Sequence, residues 1–488
     1  MLSFRWPSAH PASHPSALPG PLNRANTDPF NPALTVSALP PGLRRQAARS
    51  KWLPALLMVA LLVFVALPVP ADTGLFVPDP TVPPELQTTV WGYQTQTLAP
   101  GVLHRFVKAQ NDHGPLLINL LDIDYNHPDV VLLPVLADEN QSLHGKAKVA
   151  DIMAQVQRRN NVEDPALRVL AGINGSFFKP DTGTTLGTFI SKGDLLTGPI
   201  HNRVAVGITP DKQVLFDRVQ VSGQITTDMG TTLQFHNVNQ PRLNKDWVLY
   251  TSAWGARSPA TPDQGTQILL RRGTTNQLYV DAIGTQSFPI PENGFVLLGP
   301  PTQDFSRVEP GQSATLKMTL NPDWSDVAYA LSGGPYLVKR GQVYVDAKAQ
   351  KLATQTFNKP APRTAIGVTA DKHVLLVTVD GRQDDLSVGM TLYELAYFMR
   401  GLGAVYAINL DGGTSTQMVI GQQLVSHPKT EGGVKVGNAL LVEYKGLASI
   451  PTPLSIPPTE FQTGRPTPVV PDGQNRHEPP KKPFSFLD

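Results

Sequence analysis

The 488-residue chain has no cysteine. That excludes disulfide staples, thiolate nucleophiles and cysteine-held metals. Neither sign of charge is in surplus: 41 Lys and Arg stand against 39 Asp and Glu, a net charge of +2. The chain therefore lacks the basic footprint of a nucleic-acid binder. No H-E-x-x-H or G-x-S-x-G motif occurs, which removes the zincin and ordinary serine-hydrolase classes. His201, His373 and His427 are scattered without metal spacing. The sequence requires no cofactor and leaves a divalent metal open.

A full-length membrane-spanning run is also lacking. The longest apolar stretch, 53–69, has its uninterrupted part between Pro54 and Pro68, short of the about 20 residues a spanning helix needs. Arg44, Arg45, Arg49 and Lys51 precede it, an arrangement that keeps the N-terminus cytoplasmic. The segment suits a signal core of about 7–15 residues, with Val69 and Ala71 as a small-residue cleavage site, or an anchor if it stays uncleaved. Either reading places residues 72 onward outside the cytoplasm, membrane-anchored or secreted.

Proline is abundant, at 47 residues, but gathers at the two ends. Residues 1–50 read as a disordered leader, 71–87 as a Pro-rich linker and 447–488 as a disordered tail. Between them, 88–446 reads as one globular α+β unit. Short apolar runs broken by Gly and Asp predict a mixed β-sheet domain with few helices. Leu392, Leu395, Ala396 and Met399 recur at helical spacing, with Thr391 and Glu394 as a capping box and Gly401 and Gly403 as a stop. A second helix is expected over 148–159. Strands are expected at 168–173, 203–208, 364–369, 374–379 and 404–410. RVAVGITPDKQVLF (203–216) echoes RTAIGVTADKHVLL (363–376), and ISKGDLL (190–196) echoes LVKRGQV (337–343). The unequal spacings favour similar hairpins of independent origin over a duplication.

Chemistry concentrates at strand ends. VLLVTV runs into Asp380-Gly381-Arg382, and AVYAINL, after the capped helix, runs into Asp411-Gly412-Gly413. Two strands joined by a helix suggest a βαβ crossover that carries the site. Their carboxyl ends would share one sheet edge, with the carboxylates roughly 5–10 Å apart, a range used in glycoside hydrolysis. RVLAGI ends in Asn174-Gly175-Ser176-Phe177-Phe178, and Ser332-Gly333-Gly334-Pro335 forms a small-residue loop whose amides can approach an anion. Pro362-Arg363-Thr364 opens a strand beside these motifs.

Taken together, AGINGSFF (171–178), ALSGGPYLVKRGQ (330–342), PRTAIGVTADKHVLLVTVDGRQ (362–383), GMTLYELAYFMRGLGAVYAINLDGGTST (389–416) and GNALLV (437–442) resemble the phosphodiester glycosidase family, the bacterial-type, mannose 6-phosphate uncovering enzyme-like domain. The resemblance covers most of 88–446. It implies cleavage of a sugar-1-phosphodiester on the glycosidic side. The implied catalytic residues are Asp380 and Asp411, with their roles unassigned. Asn174, Gly333, Gly334, Arg363, Arg382, Asn409, Ser415 and Asn438 are implied to bind substrate, a phosphorylated carbohydrate or envelope glycan. Thr414 stands where the family has a third Gly, Ser176 replaces a second Gly, and Gly433-Val434-Lys435 replaces Glu-Arg-Pro. These departures bear on substrate identity more than on fold. The alternative is a non-catalytic glycan-binding or exopolysaccharide-export accessory protein. On the enzyme reading, Arg363→Lys should lower activity with little effect on folding, and Arg203, its counterpart in the echo, is the control expected to matter less.

Overall fold

The computed structural model describes residues 76, 80–138, 142–243, 246–301, 307–353, 358–447 and 452. The 53–69 segment, the 1–50 leader, most of the 71–87 linker and nearly all of the tail lie outside them. Among the described residues no helix is long and apolar enough to cross a membrane.

Strands dominate, in two eight-stranded and two five-stranded sheets. The expected helices form as Val149–Glu163 and Leu392–Gly401. The second opens as read: the Thr391 hydroxyl accepts from the Glu394 N–H while the Glu394 carboxylate returns to the Thr391 N–H. Asn111 Nδ2 also donates to Glu394 Oε1 at 2.7 Å, so this buried carboxylate is held from two sides. Thr391→Ala should lower stability by about 1 kcal/mol, read as a shifted urea midpoint with an unchanged slope.

The echo in the sequence is one structural arrangement used three times. Each copy has a short hairpin: Phe189–Ser191 with Asp194–Thr197, Tyr336–Lys339 with Gln342–Val343, and Met418–Ile420 with Gln423–Leu424. Each also has a longer antiparallel pair: Ala205–Ile208 with Val214–Asp217, Arg363–Thr369 with His373–Val379, and Asn438–Lys445 with Val130–Leu136. Between hairpin and pair lies a strand that leads, in sequence, into the next copy's hairpin. Tyr329–Ser332, Ala404–Asn409 and Leu167–Asn174 take that place. Equivalent backbone bonds close the strand ends: Gly333 N–H to Val204 C=O (2.9 Å), Leu410 N–H to Thr364 C=O (2.8 Å) and Gly175 N–H to Asn438 C=O (3.2 Å). Independent hairpins, the favoured sequence reading, do not explain this match. The third pair escaped notice because its strands come from opposite ends of the domain.

The two recognised hairpin-like pairs also turn alike. Thr209 and Thr369 each bond an Asp two residues on and accept from the backbone N–H four residues on. Lys212 (φ 62°) and Lys372 (φ 66°) take the left-handed position.

The three sheets enclose a common core containing Leu170, Ile173, Val206, Leu331, Ile366, Leu376, Ile408 and Leu440. Their outer faces are covered differently. The Leu392–Gly401 helix packs Leu392, Leu395, Ala396 and Met399 on Ala365, Leu375 and Val377. The Val149–Glu163 helix packs Ile152, Met153 and Val156 on Val169, Val419 and Leu441. Over the remaining sheet the described residues form no α-helix. Eight strands, from Gln220–Thr227 to Ser313–Asn321, form a separate sheet there, whose core meets Ile190, Ala205 and Ala330. The smaller number of helices and this second sheet make the domain more strand-rich than an even α+β mixture.

The crossover needs one correction. His373–Val379 and Ala404–Asn409 do run the same way, but they are not neighbours. Arg363–Thr369 lies between them, antiparallel to both. The tight 363–379 hairpin places its first strand in that gap, which the crossover argument had left unfilled.

Candidate active site

The three central strands end on turns that meet. Asn174 Nδ2 donates to the Asp411 carbonyl at 2.6 Å, while its Oδ1 accepts from the Thr364 hydroxyl (2.9 Å) and the Gln417 N–H (3.0 Å). Asp411 N–H in turn donates to Gly175 C=O at 3.0 Å. Asn438 Oδ1 accepts from Ser176 N–H at 2.6 Å and its Nδ2 donates to Thr185 Oγ1 at 3.0 Å. Both asparagines are fully buried. Their side chains hold the turns, Asn174 on the Asp411 carbonyl and Asn438 on Ser176 and Thr185.

The Gly333–Gly334 loop is likewise occupied. Gly333 N–H donates to Val204 and Gly334 N–H to Asn409 C=O, so neither amide is left for an anion. Gly334 is needed for its conformation (φ +128°), and a Cβ there would run into Gln350 Oε1. Asn409 Nδ2 donates to the Gly334 and Leu410 carbonyls, which leaves its buried Oδ1 without a partner.

Asp411 follows this knot of turns. Burial pushes its carboxyl up to about 6, against the Ser415 hydroxyl, the Gly412 N–H and the positive charge of Arg203, which favour ionisation. An acid of that strength is present in both protonation states near neutrality, as proton transfer in a reaction requires. Ser415, implied by the resemblance to bind substrate, hydrogen-bonds this carboxylate.

Asp380 leaves the same sheet edge one intervening strand away, about 10 Å between strand axes. Its side chain is buried. Its Oδ2 accepts from the His427 N–H at 2.9 Å and lies 3.3 Å from His427 Nδ1. Burial raises its proton affinity, and the His427 contacts oppose that rise. Asp380, Gly381, Arg382, Gly413, Thr414 and Lys429 share a small, partly open recess. Gly412 and Gly413 fold over Pro362, whose carbonyl accepts the Gly413 N–H at 2.8 Å. The Gly-Gly turn after Asp411 therefore reaches the recess that Asp380 lines, and Arg382 approaches Gly413 in it.

Arg363 behaves differently from expectation. It is 3% exposed. Its Nε donates to the Met390 carbonyl at 2.7 Å and its Nη2 to Lys359 C=O at 2.9 Å. Burial, with Arg382 nearby, brings its guanidinium down to about 10, and Glu394 opposes this. This arginine ties the start of its strand to the loop before the capped helix.

Sequence reasoning passed over His427 and treated Arg203 as a control. Arg203 stacks over the Phe177 ring at 4.2 Å and feels the Asp411 charge. The available signal was the Arg at the head of both echoed segments. Among the described residues no three His, Asp or Glu side chains gather as a metal site.

The segment 272–443 matches the family model described as phosphodiester glycosidase. The match contains Asp380, Asp411, Arg363, Arg382 and Asn438, and leaves out Asn174 and Arg203. Mouse N-acetylglucosamine-1-phosphodiester alpha-N-acetylglucosaminidase is 33% identical over 107 residues, 20% of this chain and 20% of that protein. The chain thus matches only about a fifth of the length of such curated relatives. A solved hypothetical protein from Synechocystis shares the fold, with a TM-score of 0.63, 24% identity, and coverage of 72% of this chain and 64% of that one. A solved protein from Burkholderia pseudomallei K96243 gives a TM-score of 0.54 at 26% identity, covering 67% and 74%. Over residues 272–443 the chain is thus similar to the phosphodiester glycosidase domain.

Proposed function

We propose that the chain is an exported hydrolase that cleaves a sugar-1-phosphodiester at the glycosidic side, acting on phosphorylated carbohydrate of the cell envelope. The observation that carries this reading is Asp411: a carboxyl raised to about 6 by burial, fixed by Asn174 and Ser415, with a cation near it. A phosphomonoester is a good leaving group, so the reaction needs a carboxylate at the anomeric carbon more than it needs a strong acid. In the proposed reaction the bond from C1 to the bridging oxygen breaks, and that oxygen leaves with the phosphomonoester. The water oxygen ends on C1. Asp411 acts next to C1, and Asp380, held by His427, supports the same edge from the recess.

The test uses purified protein with a panel of sugar-1-phosphodiesters in water enriched in heavy oxygen. The label should appear in the free sugar. Label in the phosphate would mean cleavage on the phosphorus side and sink the glycosidase reading. Absence of turnover with retained glycan binding would favour the accessory role. Export is checked by fractionation: domain found in the cytoplasm would refute it.

A further inference from the structure

Arg203 and Arg363 head equivalent strands of two of the three copies, and the third copy has Gly437 there. The strands that follow receive the same bonds, Gly333 to Val204 and Leu410 to Thr364. The two guanidinium groups differ in their surroundings. Arg363 is bonded to two carbonyls. In Arg203, Nε and Nη1 are both shut off from solvent with no acceptor. Leaving a buried donor unmade is costly, and more so when it is charged. Such a group calls for a specific explanation.

The unfilled guanidinium is not alone. The buried Oδ1 of Asn409 and Oγ of Ser176 also lack partners. These groups sit on adjoining segments. Phe177, under Arg203, follows Ser176 in the chain. The Arg203 side chain passes Gly334, whose carbonyl accepts from Asn409 Nδ2. Asp411 lies two residues beyond Asn409 and acts on Arg203 through its charge, yet no ion pair joins the two. A donor fork, a hydroxyl, an amide oxygen and the candidate catalytic carboxyl thus belong to turns that meet.

We propose that Arg203 is the phosphate-recognition residue of the Asp411 site, its Nε and Nη1 taking phosphate oxygens with the Ser176 hydroxyl, while Asn409 Oδ1 accepts a hydroxyl of the adjoining sugar. This rests on the phosphodiester reading for its substrate, but phosphate binding can be measured without turnover. Arg fits the role because its planar fork meets two oxygens at once. The assignment moves anion recognition from Arg363, inside the family match, to a residue outside it.

The experiment compares the full chain with Arg203→Lys and Arg203→Gln. Inorganic phosphate is titrated at constant ionic strength against chloride, with the thermal midpoint as readout. KM and kcat are measured on any sugar-1-phosphodiester that the wild type cleaves. Phosphate should stabilise the wild type and compete with substrate. Arg203→Lys should weaken phosphate binding roughly ten- to a hundredfold, while its midpoint without phosphate stays at or above that of the wild type. Should Arg203→Gln fold poorly, the Lys variant, which keeps the charge, decides. Phosphate affinity unchanged in both variants would overturn the proposal and leave the guanidinium to buried water. A wild type indifferent to phosphate would overturn it too. If no phosphodiester is turned over but phosphate still stabilises the wild type and not the variants, the glycosidase reading falls and the anion site stands.

Discussion

Asp411→Asn should abolish turnover while leaving the protein as stable as the wild type, or more stable, at neutral pH. The carboxyl binds its proton more tightly in the folded chain, at about 6, than its ordinary value of 3.8. A group raised in this way contributes stability that is complete below about pH 4 and is lost as pH rises through 6. Above that, the fold holds a charge that burial disfavours. With solvent screening allowed for, because Asp411 is only half-buried, the strain is ~1–2 kcal/mol. Asn has the same shape and no charge, so it relieves that strain. It cannot accept or release the proton, so the rate should fall by a factor on the order of a thousand or more. Thermal midpoints of both proteins from pH 4 to 8 give the check. The wild type should lose ground to the variant between pH 4 and 6 and run parallel above. A variant less stable than wild type at pH 7.5 would mean that Asp411 is an ordinary structural carboxylate.

Arg363 should show the opposite pattern. Arg363→Met should destabilise the domain by ~3–5 kcal/mol, because it removes a buried cation from the neighbourhood of buried Glu394 and strands two carbonyls. Arg363→Lys keeps the charge but loses the fork geometry, at about 1–3 kcal/mol. Denaturant midpoints measure both. Loss of activity in Arg363→Lys should follow loss of folded protein. A Lys variant with a wild-type midpoint and no turnover would return Arg363 to direct substrate contact. The expectation formed from the sequence, that a cleft arginine supports few core contacts, fails because the side chain is turned inward against the loop preceding the helix.

The sequence by itself determined the local elements and the polar strand ends. Thr391 and Glu394 fixed where a helix starts because capping is a four-residue interaction. Alternating and continuous apolar runs pointed to strands at 168–173, 364–369, 374–379 and 404–410, which form to within a residue at each end, since burial acts through local side-chain periodicity. Asp380, Asp411 and Asn174 were legible because Asn or Asp followed by Gly is conspicuous after a buried strand. Only the tertiary structure decided which strands are neighbours. A hairpin strand entered the crossover between the two aspartates, and pairing partners drawn from residues 130–136 and 438–445 completed a third copy that no local pattern marks. It also decided what each polar side chain does. Asn174 and Asn438 bond to turns more than 200 positions away in the chain. Arg363 and Arg203, alike in sequence, part company because carbonyl groups surround one and not the other. Hydrogen-bond partners and desolvation depend on distant segments brought together, and a linear pattern carries neither.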